Sequence, residues 1–255
     1  GAVEFLQIPS WGGLGTLPFI PHHMETPAYA KFKKLRHSDE GHWLCLACNR
    51  FLTRYPYGKE NRPRHFPFNE SDPLWIAPVW AVGALISQSV AQCGWPTRFC
   101  ERSRFQVQDL ALHSQGQRPP MVSEGWIDRD RLDQLARAGL TPLASETGSD
   151  RAFLPRAVTI AGSSLAYQLL LSQATQFILW CKDQLPTATN ATILQARLED
   201  ALRLFSDRSR PPGFVRMTVT TGPANTAGRI PVRLALMPDP SVLPGSQAIE
   251  MGLDW

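Results

Sequence analysis

The sequence has 255 residues, 43% of them hydrophobic and 19% charged, proportions ordinary for a globular protein with a substantial core in one large domain or two small ones. Lys and Arg number 26 against 22 Asp and Glu, and the excess sits in residues 31–64, where nine basic side chains stand against three acidic ones. Two uncharged stretches, 73–97 and 157–181, are long enough to cross a bilayer, but their Pro, Ser and Gln content excludes insertion and leaves core helices.

Residues 1–27 hold Gly12-Gly13-Leu14-Gly15 and prolines at 9, 18, 21 and 27, an irregular lead-in whose glycines lack the strand, helix and Lys-Ser/Thr of a phosphate cradle. A first helix is expected over 28–54. It places Leu44, Ala47, Cys48, Phe51 and Leu52 on one buried face and sets Arg50 and Arg54 four apart beside it. Those arginines either reach carboxylates of another subunit or flank a helix end, where the dipole favours cations. A second helix begins near Trp75 with Pro78 in its first turn, runs through Val79, Val82, Ile86, Val90 and Cys93, and stops at Gly94 and Pro96.

Residues 107–112 read as a short strand. Asp128 caps a third helix with Leu132, Leu135 and Ala136 facing inward, ended by Gly139 before an extended 140–144. In the fourth helix Tyr167, Leu170, Leu171, Ala174, Phe177, Ile178 and Cys181 recur every three or four residues, a stripe that must pack against something large. After Pro186 and a Thr189 or Asn190 cap, a fifth helix lines up Leu194, Leu198, Ala201, Leu202 and Phe205, with Arg197, Glu199, Asp200 and Arg203 opposite, and Pro211-Pro212-Gly213 breaks it.

The period then changes from helical to alternating. Val215, Met217 and Val219 alternate with Arg216, Thr218 and Thr220, and Ile230, Val232, Leu234 and Leu236 alternate with Pro231, Arg233 and Ala235. Two strands joined by 221–228 make a hairpin, and a weaker run of Ile249, Met251 and Leu253 closes the chain. Such a terminal ribbon leaves edges that another segment must cover. The fold class is therefore α+β, helices packed on mixed sheet with a C-terminal β-ribbon. The organisation is a lead-in (1–27), a helical and mixed region (28–162), and a helix pair with the ribbon (163–255).

No G-x-S-x-G, H-E-x-x-H or P-loop is present. His37 and His42, five apart, fall on different sides of a helix, and Asp128 with Asp130 suits a helix start better than a catalytic pair. The five cysteines are an odd number, and Cys45, Cys48 and Cys181 fall within expected helices, so they read as reduced cytosolic core thiols. The single C-x-x-C, Cys45 to Cys48, has no second pair and no His-x-x-x-His, so packing is expected there and not metal. No enzyme activity, cofactor or metal is expected. The basic segment 31–64 leaves a nucleic-acid-binding module as one alternative, and a small hydrolase with a dispersed site as another.

The run Asn49-Arg50-Phe51-Leu52-Thr53-Arg54-Tyr55-Pro56-Tyr57-Gly58 resembles a signature of the large subunit of the type VI secretion contractile sheath, the TssC/VipB family, with Asn49 in place of a proline. Four further landmarks follow in that family's order. They are Tyr29 to Glu40, similar to its Trp-x-x-Leu-Arg approach; Phe66-Pro67-Phe68 with Leu74-Trp75; the helix end Gly94-Trp95; and Ile127 to Leu143, similar to its Ile-x-Asp-x-x-Glu-x-x-Leu-x-x-x-Gly-Phe-x-Pro-Leu pattern. Beyond residue 162 the likeness is one of layout. Chains of that family are longer, so the expected reading is the C-terminal half of such a subunit or a shortened variant.

The resemblance implies a bacterial, cytoplasmic, structural subunit in a sheath docked on a membrane-anchored baseplate. Its implied partners are a TssB-like small subunit, neighbouring copies of itself and an Hcp-like inner tube. A ClpV-type ATPase would act only through the small subunit, and neither nucleic acid binding nor membrane insertion is implied. The ribbon would join an intersubunit sheet. Arg50, Arg54, Phe214, Arg216, Thr218, Thr220, Arg229, Val232, Arg233 and Leu234 are the candidate partner-binding residues.

Overall fold

The structure, a computed structural model, describes residues 4–7, 27, 30–114, 119–185, 190–207, 215–243, 245 and 248–255. The glycine cluster, most of the lead-in, Pro186, Thr189, the Pro211-Pro212-Gly213 breaker and Phe214 lie outside the described residues. The chain divides into two units, Gly1–Gln88 with Phe99–Gln168, and Ser89–Arg98 with Leu169–Trp255. The elements are α+β, as the alternation of periods implies.

In the first unit a parallel sheet has the order β1 (Glu4–Gln7), β2 (Leu44–Cys48), β3 (Leu140–Pro142), with Leu6 opposite Leu46 and Leu46 opposite Leu140. The expected helix over 28–54 is replaced by three elements. Helix α1 (Ala30–Arg36) ends where Ser38 Oγ and N–H both donate to Leu35 O, at 3.0 and 3.1 Å. A 3-10 turn (Asp39–Trp43) follows, folded so tightly that a Cβ on Gly41 would meet the Leu35 carbonyl oxygen at 2.5 Å. Leu44–Cys48 is then the central strand, with Cys45, Ala47 and Cys48 fully buried.

A five-residue apolar run fits a buried strand as well as a helical stripe, and the flanking strands decide between them. Cys45 and Cys48 thus lie on a strand, and Arg50 and Arg54 on the loop beyond it. Glu4–Gln7, within the expected irregular lead-in, supplies one of those flanking strands.

Helix α2 (Pro78–Cys93) begins with its proline in the first turn, as the sequence implies. Within 107–112 Val107 forms a single β-bridge to Ala152 and Leu110 N–H donates to Asp150 O at 3.0 Å, but Asp109 between them is left-handed at φ 58° and interrupts the strand. Helix α3 (Arg129–Arg137) is capped by Asp128, whose side chain accepts from Arg131 N–H at 2.8 Å. Gly139 (φ 83°) turns the chain into β3, and a Cβ there would collide with the Ile160 carbonyl. Leu135, Ala138 and Leu140 pack with Cys48 and Ile127, flanked by Phe32 and Leu132. A short antiparallel pair, β4 (Ala144–Ser145) and β5 (Ala152–Phe153), completes the unit. Of the second uncharged stretch, only the part from Leu165 is helical. Among the described residues no helix is long and apolar enough to cross a membrane.

In the second unit α4 (Leu165–Gln184, which begins in the first unit) and α5 (Ala191–Ser206, capped by Asn190 through Thr192 N–H) pack on an antiparallel sheet. The sheet order is β6 (Val215–Thr221), β7 (Pro231–Pro238), β8 (Ile249–Asp254). Ile178, Cys181, Leu194, Leu198 and Leu202 from the helices meet Val219, Ile230, Val232 and Leu234 from the sheet side. Each buried leucine contributes about 2 kcal/mol of transfer free energy. Phe205 stacks on Phe177 at 4.3 Å and meets Trp95 edge-on at 5.2 Å.

Candidate assembly interface

The alternation that buries one face of β6 and β7 puts Arg216, Thr218, Thr220 and Arg233 on the exposed face and Val232 and Leu234 in the core. Val232 and Leu234 therefore cannot offer side chains to a partner while this core is intact. The exposed face holds a shallow concavity of about 370 Å³ lined by Thr218, Thr220, Arg233, Ala235, Glu250 and Gly252. Arg229, at the hairpin end, lies 4.0 Å from Asp254, an exposed pair of little energetic weight.

Hydrogen-bond parity identifies which backbone groups face outward. Gly222 N–H donates to Pro231 O, so the alternating register turns residues 216, 218 and 220 toward β7 and residues 215, 217, 219 and 221 away from it. Ile230 and Trp255 exchange both bonds, so β8 turns 249, 251 and 253 toward β7 and 250, 252 and 254 away. Side chains close both ends of the β6 edge and the C-terminal end of the β8 edge: Ser206 Oγ donates to Val215 O, Thr221 N–H donates to Gln195 Oε1, and Lys182 Nζ donates to Asp254 O. Between those ends, Met217 and Val219 on β6, and Glu250 and Gly252 on β8, face edges along which no strand pairs among the described residues. Strand β7 has a neighbour on each side, so Arg233 has only its side chain to offer.

Arg50 and Arg54 turn inward to carboxylates of their own chain. Arg50 donates from Nε and Nη2 to the two oxygens of buried Glu124, at 2.9 and 2.7 Å. Arg54 makes a second fork to Glu70, at 2.6 and 2.7 Å, and its guanidinium lies 4.0 Å from the centre of the Tyr57 ring. The Arg54 bonds, with Tyr57 N–H donating to Glu70 Oε2, hold the Glu70 carboxyl well below its ordinary value, at about 2. The fork raises Arg50 and Arg54 above the ordinary arginine value. Glu70 and Glu124 escaped the sequence reading because they lie 16 and 74 residues from their arginines, with no local pattern linking them.

Asn49, directly after β2, stands in a left-handed conformation (φ 75°), which a proline cannot adopt. Its side chain donates to Gly125 O and Leu143 O and accepts from Gly125 N–H.

Chemistry finds little to use here. Burial raises Cys45 to about 11 and Cys48 well above the ordinary thiol value, which disfavours thiolate nucleophiles. His42 Nδ1 lies 2.5 Å from Ser163 Oγ on an exposed surface, with no acidic side chain hydrogen-bonded to the ring among the described residues.

Residues 1–161 match the family model VipB, described as EvpB/VC_A0108, tail sheath N-terminal domain. The chain belongs to this family. It is thus a protein of the type VI secretion sheath family, a family of structural proteins and not of enzymes. It is 29% identical over 155 residues to the type VI secretion system sheath protein TssC1 of Pseudomonas aeruginosa, an alignment covering 55% of this chain and 31% of that protein. Two solved sheath tail proteins align at 10% identity. The one from Desulfitobacterium hafniense has a TM-score of 0.49 and covers 99% of this chain and 56% of its own. The one from Listeria innocua has a TM-score of 0.46 and covers 98% and 56%. The chain therefore spans less than a third of the curated relative and just over half of the solved ones.

Proposed function

We propose that this sheath-family chain is a structural subunit of a type VI secretion contractile sheath. It pairs with a TssB-like small subunit, polymerises with copies of itself around an Hcp-like inner tube on a baseplate, and drives effector delivery by contraction. The observation that carries this reading, beside family membership, is the C-terminal sheet, on whose two outer edges no further strand pairs among the described residues. Main-chain hydrogen bonds along a shared edge tether subunits while letting them rotate against one another. Contraction would then be a change between two helical packings of rigid subunits, with no cofactor and with the energy stored when the extended assembly forms.

In this reading β6 and β8 accept strands from neighbouring protomers, while Arg216, Arg233, Thr218 and Thr220 line the face those neighbours approach. Arg50 and Arg54 then act indirectly, by holding the loops of the first unit. The test is expression with and without a TssB-like subunit. Coexpression should give a soluble heterodimer and tubes in electron micrographs, whereas the chain alone should aggregate. A stable, monodisperse monomer at micromolar concentration would count against it.

A further inference from the structure

We propose that the loop 55–69 is a preformed docking arm for an acidic face of another protein chain. The loop is closed at its neck by Glu70. That carboxylate takes the Arg54 fork and the Tyr57 N–H, Glu70 N–H returns a bond to Tyr57 O at 2.9 Å, and Phe68 meets the Tyr57 ring edge-on at 6.4 Å. Inside the loop Gly58 and Asn61 exchange backbone bonds at 3.4 and 3.3 Å. Compact surface loops of this kind, closed at the neck and packed by their own side chains, are frequently functional.

Most of what the closed loop presents faces solvent and not its own unit. Phe66 is 74% exposed and Phe68 51%, side chains that lose hydration favourably only against an apolar surface. Between the neck and these rings stand the exposed cations Lys59, Arg62 and Arg64 and one carboxylate, Glu60. None of the three cations is in an ion pair among the described residues. Pro63 and Pro67 restrict the same stretch, so little ordering entropy remains to be lost on binding. Arginines beside exposed aromatic rings on a pre-ordered support are the composition of interface anchors.

Three cations fall short of the roughly four to eight that hold a segment on anionic lipid, and three phosphate contacts would give nucleic acid only weak, strongly salt-dependent binding. Carboxylates around a shallow apolar pocket satisfy both the guanidinium groups and the rings. The inference does not depend on the sheath reading, and its test reads the loop alone.

A photo-crosslinking phenylalanine analogue placed at Phe66 in the full chain, irradiated in cells, should join it to one protein segment. Mass spectrometry of that adduct should show at least two Asp or Glu beside apolar residues. Charge reversal by Arg62→Glu with Arg64→Glu should cut the yield about tenfold, and Arg62→Lys with Arg64→Lys should restore most of it. Unchanged circular dichroism of the reversed variant excludes a folding defect. An adduct with nucleic acid or lipid, an adduct to a segment without carboxylates, a yield indifferent to charge reversal, or no adduct would overturn the proposal.

Discussion

Arg50 and Glu124 are joined at two levels, by a side-chain fork at 2.9 and 2.7 Å and by Glu124 N–H donating to Arg50 O at 2.8 Å. The backbone bond sets the two segments in register, and the fork neutralises a carboxylate that the register leaves buried. Replacing Arg50 with Leu would remove that fork from a buried carboxylate and should destabilise the first unit by about 2 kcal/mol, discounted for the partial exposure of the arginine. Urea unfolding of the coexpressed complex measures it, and a loss below about 0.5 kcal/mol would show that the pair is only decorative.

Asn49 offers a second test of the same region. Asn49→Ala removes three buried hydrogen bonds and keeps a left-handed backbone that alanine resists, so a loss of about 3 kcal/mol is expected. Asn49→Gly should cost less, because the backbone strain is relieved while the bonds are still lost. Equal losses in the two variants would contradict this account.

The Glu70 clamp should be acid-sensitive. Its folded value, about 2, lies below its ordinary 4.5, so its stabilisation is complete above about pH 4.5 and fades as pH falls toward 2. Ring resonances of Phe68 should shift across that window. In Glu70→Gln the shift should vanish, and trypsin should cut faster after Arg64 at neutral pH. A Phe68 signal constant from pH 5 to 2 in the unaltered protein would rule the clamp out.

Cys45 and Cys48 should resist alkylation in the folded chain at pH 8 and react promptly in denaturant, since burial raises both thiols. Replacing both with Ala should leave assembly intact with a packing loss of about 1–2 kcal/mol. Rapid native labelling, or stoichiometric zinc in the purified protein, would overturn this.

Hydrogen-bond parity sharpens the test of strand sharing. Met217→Pro and Gly252→Pro remove N–H groups that face the open edges, so they should leave the heterodimer formed while preventing long tubes. Thr218→Pro and Arg233→Pro act on the β6–β7 ladder itself and should unfold the sheet, whereas Ala224→Pro, in the exposed hairpin connection between the hydrogen-bonded Gly222 and Asn225 N–H groups, should be harmless. Full-length tubes from both edge variants would show that neither edge is shared.

The sequence by itself determined what depends on local period and local chemistry. The 3.6-residue stripes of α4 and α5, the Asp128 and Asn190 caps, Pro78 in the first turn of α2 and the alternation of β6 and β7 all have their cause within a few residues, and ordered family landmarks carried the identity. Tertiary structure decided the rest. Leu44–Cys48 became a strand because β1 and β3 lie on either side of it, a fact no window around residue 44 contains. Arg50 and Arg54 turned inward because Glu124 and Glu70 are brought to them from distant points in the chain. The ribbon's alternation was legible, but which residues direct N–H groups to an open edge depends on strand order and parity, which exist only once β6, β7 and β8 have paired.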